Sequence, residues 1–102
     1  MRATKRQPAS VGEMLQQEFL VPLGITAQDL AKAMGVHRNT ISNLKRGGTL
    51  TVPLAIKLAK ALGNSPEFWM NIQHAVNLWE TRNSYQKFSK DVTPLIPPTS
   101  TL

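Results

Sequence analysis

No cysteine occurs anywhere in the 102 residues, so disulfides, thiolate metal sites and thiol nucleophiles are excluded outright. Histidine is nearly as scarce. His37 and His74 are the only two and fall far apart, and the six acidic residues are scattered, with no HExxH, no phosphate-cradling glycine loop and no nucleophile elbow. Catalysis, a bound metal and a bound cofactor are therefore not expected. Long apolar runs are also missing. No stretch approaches the roughly 20 residues that span a bilayer, and no charged segment followed by an apolar core opens the chain as a secretory signal would. The expected location is cytoplasmic.

What the chain has is positive charge: twelve Lys and Arg against six Asp and Glu give a net +6. Such a balance favours polyanionic partners such as nucleic acid. The charge is unevenly placed. Arg2, Lys5 and Arg6 sit in the first ten residues, and Arg38, Lys45, Arg46, Lys57 and Lys60 gather between Val36 and Lys60. With 41% hydrophobic residues the chain has the composition of one folded domain.

Five helices are expected, in an all-α domain. Residues 1–10 are polar and basic and read as a flexible arm. Ser10 can cap a first helix on which Val11, Met14, Leu15 and Phe19 recur at helical spacing, with Glu13 in its first turn. Pro22 should push Val21 out of helical geometry, and Leu23-Gly24 completes the break. Thr26 with Asp29 forms a capping box, Ile25 and Leu30 take the staple positions, and the second helix runs from Ala27 to Met34 before Gly35. Val36 and Ile41 repeat the staple around His37, placing a third helix from about Arg38 to Arg46 and a stop at Gly47-Gly48. Thr51 caps a fourth helix whose apolar face is Leu54, Ile56, Leu58, Ala59 and Leu62, closed by Gly63. Ser65-Pro66-Glu67 opens the longest helix, lined by Phe68, Ile72, Ala75, Val76 and Trp79 as far as about Arg82. The domain is expected to span 11–84, with 85–102 an extended or disordered tail, because the periodicity fades beyond Ser84 and three prolines follow Val92.

The second and third helices carry the chemistry. Two helices crossing at roughly 100° through a short turn need a small residue at the crossing, a glycine in the turn and apolar inner faces. Ala31, Gly35 and the set Leu30, Met34, Val36, Ile41 and Leu44 supply them. With Ile41 and Leu44 turned inward, the outer face of the third helix carries Arg38, Asn39, Thr40, Ser42, Asn43, Lys45 and Arg46, none of them acidic. Asn can pair bidentately with adenine and Arg with guanine in the major groove. Arg38, Asn39, Thr40 and Asn43 are therefore the expected base readers. Ser42, Lys45 and Arg46 are expected on phosphates, joined by Thr26 and Gln28 at the start of the second helix. The last helix has more apolar surface than a small core needs, so Ile72, Val76, Leu78 and Trp79, on a segment of about 66–83, are expected to form a two-fold contact between copies. Two reading helices about 34 Å apart would then read a palindrome.

These residues also carry a resemblance. Gly12-Glu13-Met14-Leu15, Phe19-Leu-Val-Pro-Leu-Gly24, Gly35-Val36-His37-Arg38-Asn39-Thr40-Ile41-Ser42 and Ala61-Leu62-Gly63-Asn64-Ser65-Pro66-Glu67-Phe68-Trp69 resemble the HigA (VapI-like) antitoxins, of the lambda-repressor/Cro-like superfamily. The likeness covers about residues 10–80. It implies a homodimer that binds an inverted repeat in its own promoter and neutralises a HigB-type, RelE-like ribonuclease toxin. One departure is the opening of the first helix, Ser10-Val11-Gly12-Glu13, where the family usually has His-Pro-Gly-Glu. Two further readings stay open on the residues: a free-standing repressor without a toxin, and a protein-interaction module that keeps the fold without reading DNA.

Overall fold

The computed structural model describes residues 6–97, so residues 1–5 of the basic arm and 98–102 of the tail lie outside the described residues. Among those described, every regular element is a helix. The first, α1, begins at Val11 under a reciprocal capping box: Glu13 N–H donates to Ser10 Oγ at 3.1 Å, and Ser10 N–H donates to Glu13 Oε1 at 3.0 Å. It continues as an α-helical turn Val11–Leu15, a π-helical turn Gln16–Leu20 and a last α-helical turn Val21–Leu23. The expected break before Pro22 does not occur. Val21 is helical at φ −66°, ψ −52°, and its N–H reaches Gln16 O across the wider ring. Proline within a regular helix crowds the carbonyl four residues back and forfeits a donor. A turn widened by one residue relaxes that crowding, so the helix survives to Gly24.

The remaining helices are α2 (Ala27–Met34), α3 (Arg38–Lys45), α4 (Val52–Leu62) and α5 (Pro66–Ser89). Thr26, His37, Thr51 and Ser65 each accept a backbone N–H at the start of their helix, so one otherwise orphaned amide at each of these four N-termini is satisfied from within the chain. Gly35 ends α2 at φ 71°, a left-handed conformation that a Cβ would strain, and turns the chain into α3.

Val11, Leu15, Leu20, Leu30, Ala31, Met34, Ile41, Leu44, Leu50, Ala55, Leu58, Ala59 and Trp69 form one core, with no charged or polar residue fully buried among those described. Trp69 is completely enclosed, and its indole N–H donates to Asn64 Oδ1 at 2.7 Å, which removes the cost of burying a polar group. Phe19 lies 5.3 Å from the Trp69 ring and 6.2 Å from that of Phe68, tying the π-helical turn of α1 to the start of α5. Trp69 is thus core, and Phe68 sits at its rim, 37% exposed.

Two further expectations differ from the structure. Ile56 is 52% exposed and Ala55 is buried in its place, because the face of α4 that meets its neighbours is set by Ala55, Leu58, Ala59 and the half-buried Leu62. Helix α5 does not fade at Arg82 but continues to Ser89. Its outer turns lack a buried face, with Tyr85 at 62% and Phe88 at 70% exposure, so no apolar period marks them, yet nothing there breaks a helix before Val92-Thr-Pro. The result is elongated. The radius of gyration is 17.2 Å, against about 13 Å for a compact chain of this length.

Candidate nucleic-acid interface

Helix α3 is held against the body at its C-terminal end by an unusually close crossing with α1. A Cβ built on Gly12 would lie 2.3 Å from Leu44 O and 2.7 Å from Lys45 Cα, so only glycine permits this approach. The sequence reading gave Gly12 no such role, although a glycine in the first turn of a capped helix, costly there by roughly 0.5–1 kcal/mol against alanine, was the available signal. From the other side, Ile41 and Leu44 are buried and the turn at Gly35 is pinned by Val36 N–H donating to Ala31 O at 3.0 Å. Rotation of α3 about its axis is thereby fixed.

That orientation exposes Arg38, Asn39, Asn43, Lys45 and Arg46, and leaves Thr40 and Ser42 half-buried. Thr40 and Asn43 line a cleft of about 240 Å³ between α3 and the start of α4, together with Gly48, Thr49 and Leu54. At the C-terminal end Arg46 Nη2 donates to Asn43 Oδ1 at 2.7 Å, joining a residue expected on bases to one expected on phosphates. The Asn43 carbonyl also accepts Gly48 N–H at 2.9 Å, which folds the glycine pair under the helix end. At the N-terminal end the His37 imidazole caps the helix: Asn39 N–H donates to His37 Nδ1 at 3.1 Å.

Two of the five residues expected on phosphates meet at a second place. Thr26 and Lys45 line one niche of about 370 Å³ with Ala27 and Gln16, a residue on the π-helical turn that sequence reasoning missed. Gln16 Oε1 is buried there with no hydrogen-bond partner. Thr26 Oγ1 accepts Asp29 N–H at 3.0 Å, and Thr26 N–H donates to Asp29 Oδ2 at 3.4 Å. The Thr26 oxygen is therefore engaged by its own helix, leaving its hydroxyl hydrogen for an outside acceptor. Gln28 is exposed one residue into α2.

Of the residues expected at a contact between copies, only Leu78 stands clear, at 41% exposure. Val76 is 7% exposed, Ile72 packs against the core and Trp79 is half-buried, so these three are largely used within the chain. Helical periodicity alone does not tell which chain such a face packs against. The free apolar surface lies farther out. Leu78, Thr81, Tyr85 and Phe88 follow alternating steps of three and four, the spacing of a coiled-coil seam, and Thr81, Tyr85, Phe88 and Val92 line a groove of about 610 Å³ from which Leu78 itself is absent. No helix among the described residues is long and apolar enough to cross a membrane.

Known proteins share this geometry. The helix-turn-helix family model matches residues 16–69. Antitoxin HigA-1 of Vibrio cholerae is 70% identical over 95 residues, covering 93% of this chain and 90% of that protein. Among solved structures, the Pseudomonas aeruginosa antitoxin HigA with the higBA promoter superposes with a TM-score of 0.74 at 28% identity, covering 87% of this chain and 99% of the other. Antitoxin GraA in complex with its operator gives a TM-score of 0.76 at 30% identity, over 95% and 100% of the two chains.

Proposed function

Given that the chain belongs to the HigA antitoxins of the helix-turn-helix family, we propose that it works as a homodimer that reads an inverted repeat in its own promoter and neutralises a HigB-type ribonuclease toxin in the cytoplasm. The observation that carries the DNA reading is the outer face of α3. Arg38, Asn39, Asn43, Lys45 and Arg46 are exposed together on one short helix without an acidic neighbour on it, while Ile41 and Leu44 lock its rotation. In a helix-turn-helix the N-terminal turn of the second helix meets base edges and its flanks meet the backbone. Arg38, Asn39, Thr40 and Asn43 then read bases. Thr26, Gln28, Ser42, Lys45 and Arg46 hold phosphates, with no catalytic step asked of any residue.

Dimerisation follows from the same need for two heads. Leu78 is retained as a contact residue, and Tyr85 and Phe88 join it, since a seam already exposed in the monomer can be covered by a second copy without dismantling the core. The antitoxin reading is tested by co-expression with the protein encoded beside the chain. Recovery of growth and co-purification of the pair support it; an undiminished toxic phenotype, or the lack of any toxin-like neighbour, returns the chain to a free-standing repressor. Gel-shift against the upstream region, with a salt series, tests the DNA half. Contacts to phosphates release counterions, so affinity should fall steeply with salt.

A further inference from the structure

We propose that His37 is itself a base-reading residue, its imidazole set by the helix cap to present Nε2–H as a neutral donor in the major groove. The inference rests on the DNA reading above and adds a residue to it.

The geometry supplies the argument. Asn39 N–H donates to His37 Nδ1 at 3.1 Å, so Nδ1 holds a lone pair there and carries no proton. In the neutral ring the proton then resides on Nε2. His37 is exposed, so its ring is not enclosed by the core. The same residue accepts the Thr40 N–H at 2.9 Å through its backbone carbonyl, so its main chain and its ring are both fixed to the first turn of α3. A side chain already held in one orientation loses little rotational freedom on binding, which favours it over a mobile neighbour of equal reach.

The choice of histidine points the same way. Among the described residues the other four capped starts use Ser10, Thr26, Thr51 and Ser65, each of which accepts with a hydroxyl the N–H three residues on, whereas the His37 ring accepts the one two residues on. Capping alone therefore does not call for an imidazole. What histidine adds at this one start, beside Arg38 and Asn39, is a donor on the far side of the ring. Its partner would be a purine N7, guanine O6 or thymine O4, the acceptors that line the major groove.

The test separates the cap from the donor. His37→Ser keeps a capping oxygen and deletes Nε2–H; His37→Ala removes both. Binding is measured on a duplex enriched from a random-sequence pool by the wild-type chain, and on an unselected duplex of equal length, with thermal unfolding followed in parallel. For His37→Ser we expect unfolding at the wild-type temperature and affinity for the enriched duplex about three- to tenfold weaker per half-site, the worth of one neutral hydrogen bond. Affinity for unselected DNA should not change, and re-enrichment with the variant should relax one base position. Equal losses on both duplexes would mean a phosphate contact and overturn the proposal, as would unchanged affinity with an unchanged selected sequence. If the wild-type chain enriches no sequence, the DNA reading itself falls, whereas a failure confined to His37→Ser leaves that reading intact.

Discussion

Arg46 and Asn43 share one hydrogen bond, Nη2 to Oδ1 at 2.7 Å, so the guanidinium at the end of α3 and the amide one turn earlier are oriented together. Replacing either with alanine should weaken DNA binding by more than its own contacts explain. In a double-mutant cycle on operator affinity the two changes are expected to couple by about 0.5–1.5 kcal/mol. Strict additivity would show that the bond does not persist on DNA.

Asn39 has no such tie through its side chain; it is its backbone N–H that His37 engages. Asn39→Ala should cost roughly 1–3 kcal/mol on the cognate duplex and relax the base preference there. Competition between cognate and random DNA measures this, and equal losses on both would refute base reading.

Lys45 offers the contrasting case, an exposed cation beside the Thr26 niche. Lys45→Ala should weaken binding to all sequences alike and lower the slope of log affinity against log salt by about one per subunit. An unchanged slope at reduced affinity would place Lys45 on a base instead.

Gly12→Ala sets two effects against each other. Alanine favours helix by up to ~1 kcal/mol, but its Cβ would meet backbone atoms of Leu44 and Lys45 that cannot yield as a side-chain tip would. Overpacking of this kind costs about 1–3 kcal/mol or more, so net destabilisation is expected in thermal or urea unfolding. The variant should also bind DNA less well while still folded, since α3 is what the methyl displaces.

Tyr85 and Phe88 can be changed with little risk to the fold, because both are largely exposed. The double change to serine should halve the sedimenting mass at micromolar concentration and weaken operator binding through lost avidity while leaving each reading head intact. An unaltered mass would move the contact between copies elsewhere. Trp79→Ala is a poorer probe, since it also disturbs a half-buried ring.

How much of this was legible in the sequence varies with the kind of signal. Caps and stops are local, and Thr26 with Asp29, Gly35 and Ser65-Pro66 marked the helix ends that the structure has. The inward set Leu30, Ala31, Met34, Ile41 and Leu44 was readable for the same reason, each residue being placed by its own helix. Features that depend on a distant partner were not. Gln73 Oε1 accepts Leu50 N–H across 3.1 Å, Ala55 displaces Ile56 from the core, and Gly12 matters only because α3 lies against it. Pro22 misled because its usual effect presumes a regular α-helix, and the chain widens the turn before it.

In the dimer proposed above, the outer turns of α5 would also act as a ruler. Once they join two copies, the phase of that helix sets the angle between the two reading heads. Each residue advances about 1.5 Å and turns about 100°. One residue inserted between Trp79 and Tyr85 would therefore swing one head far around the helix axis relative to the seam, and two would swing it farther. With that seam, the spacing of the half-sites the dimer accepts would be written in the length of α5 rather than in any residue that touches DNA.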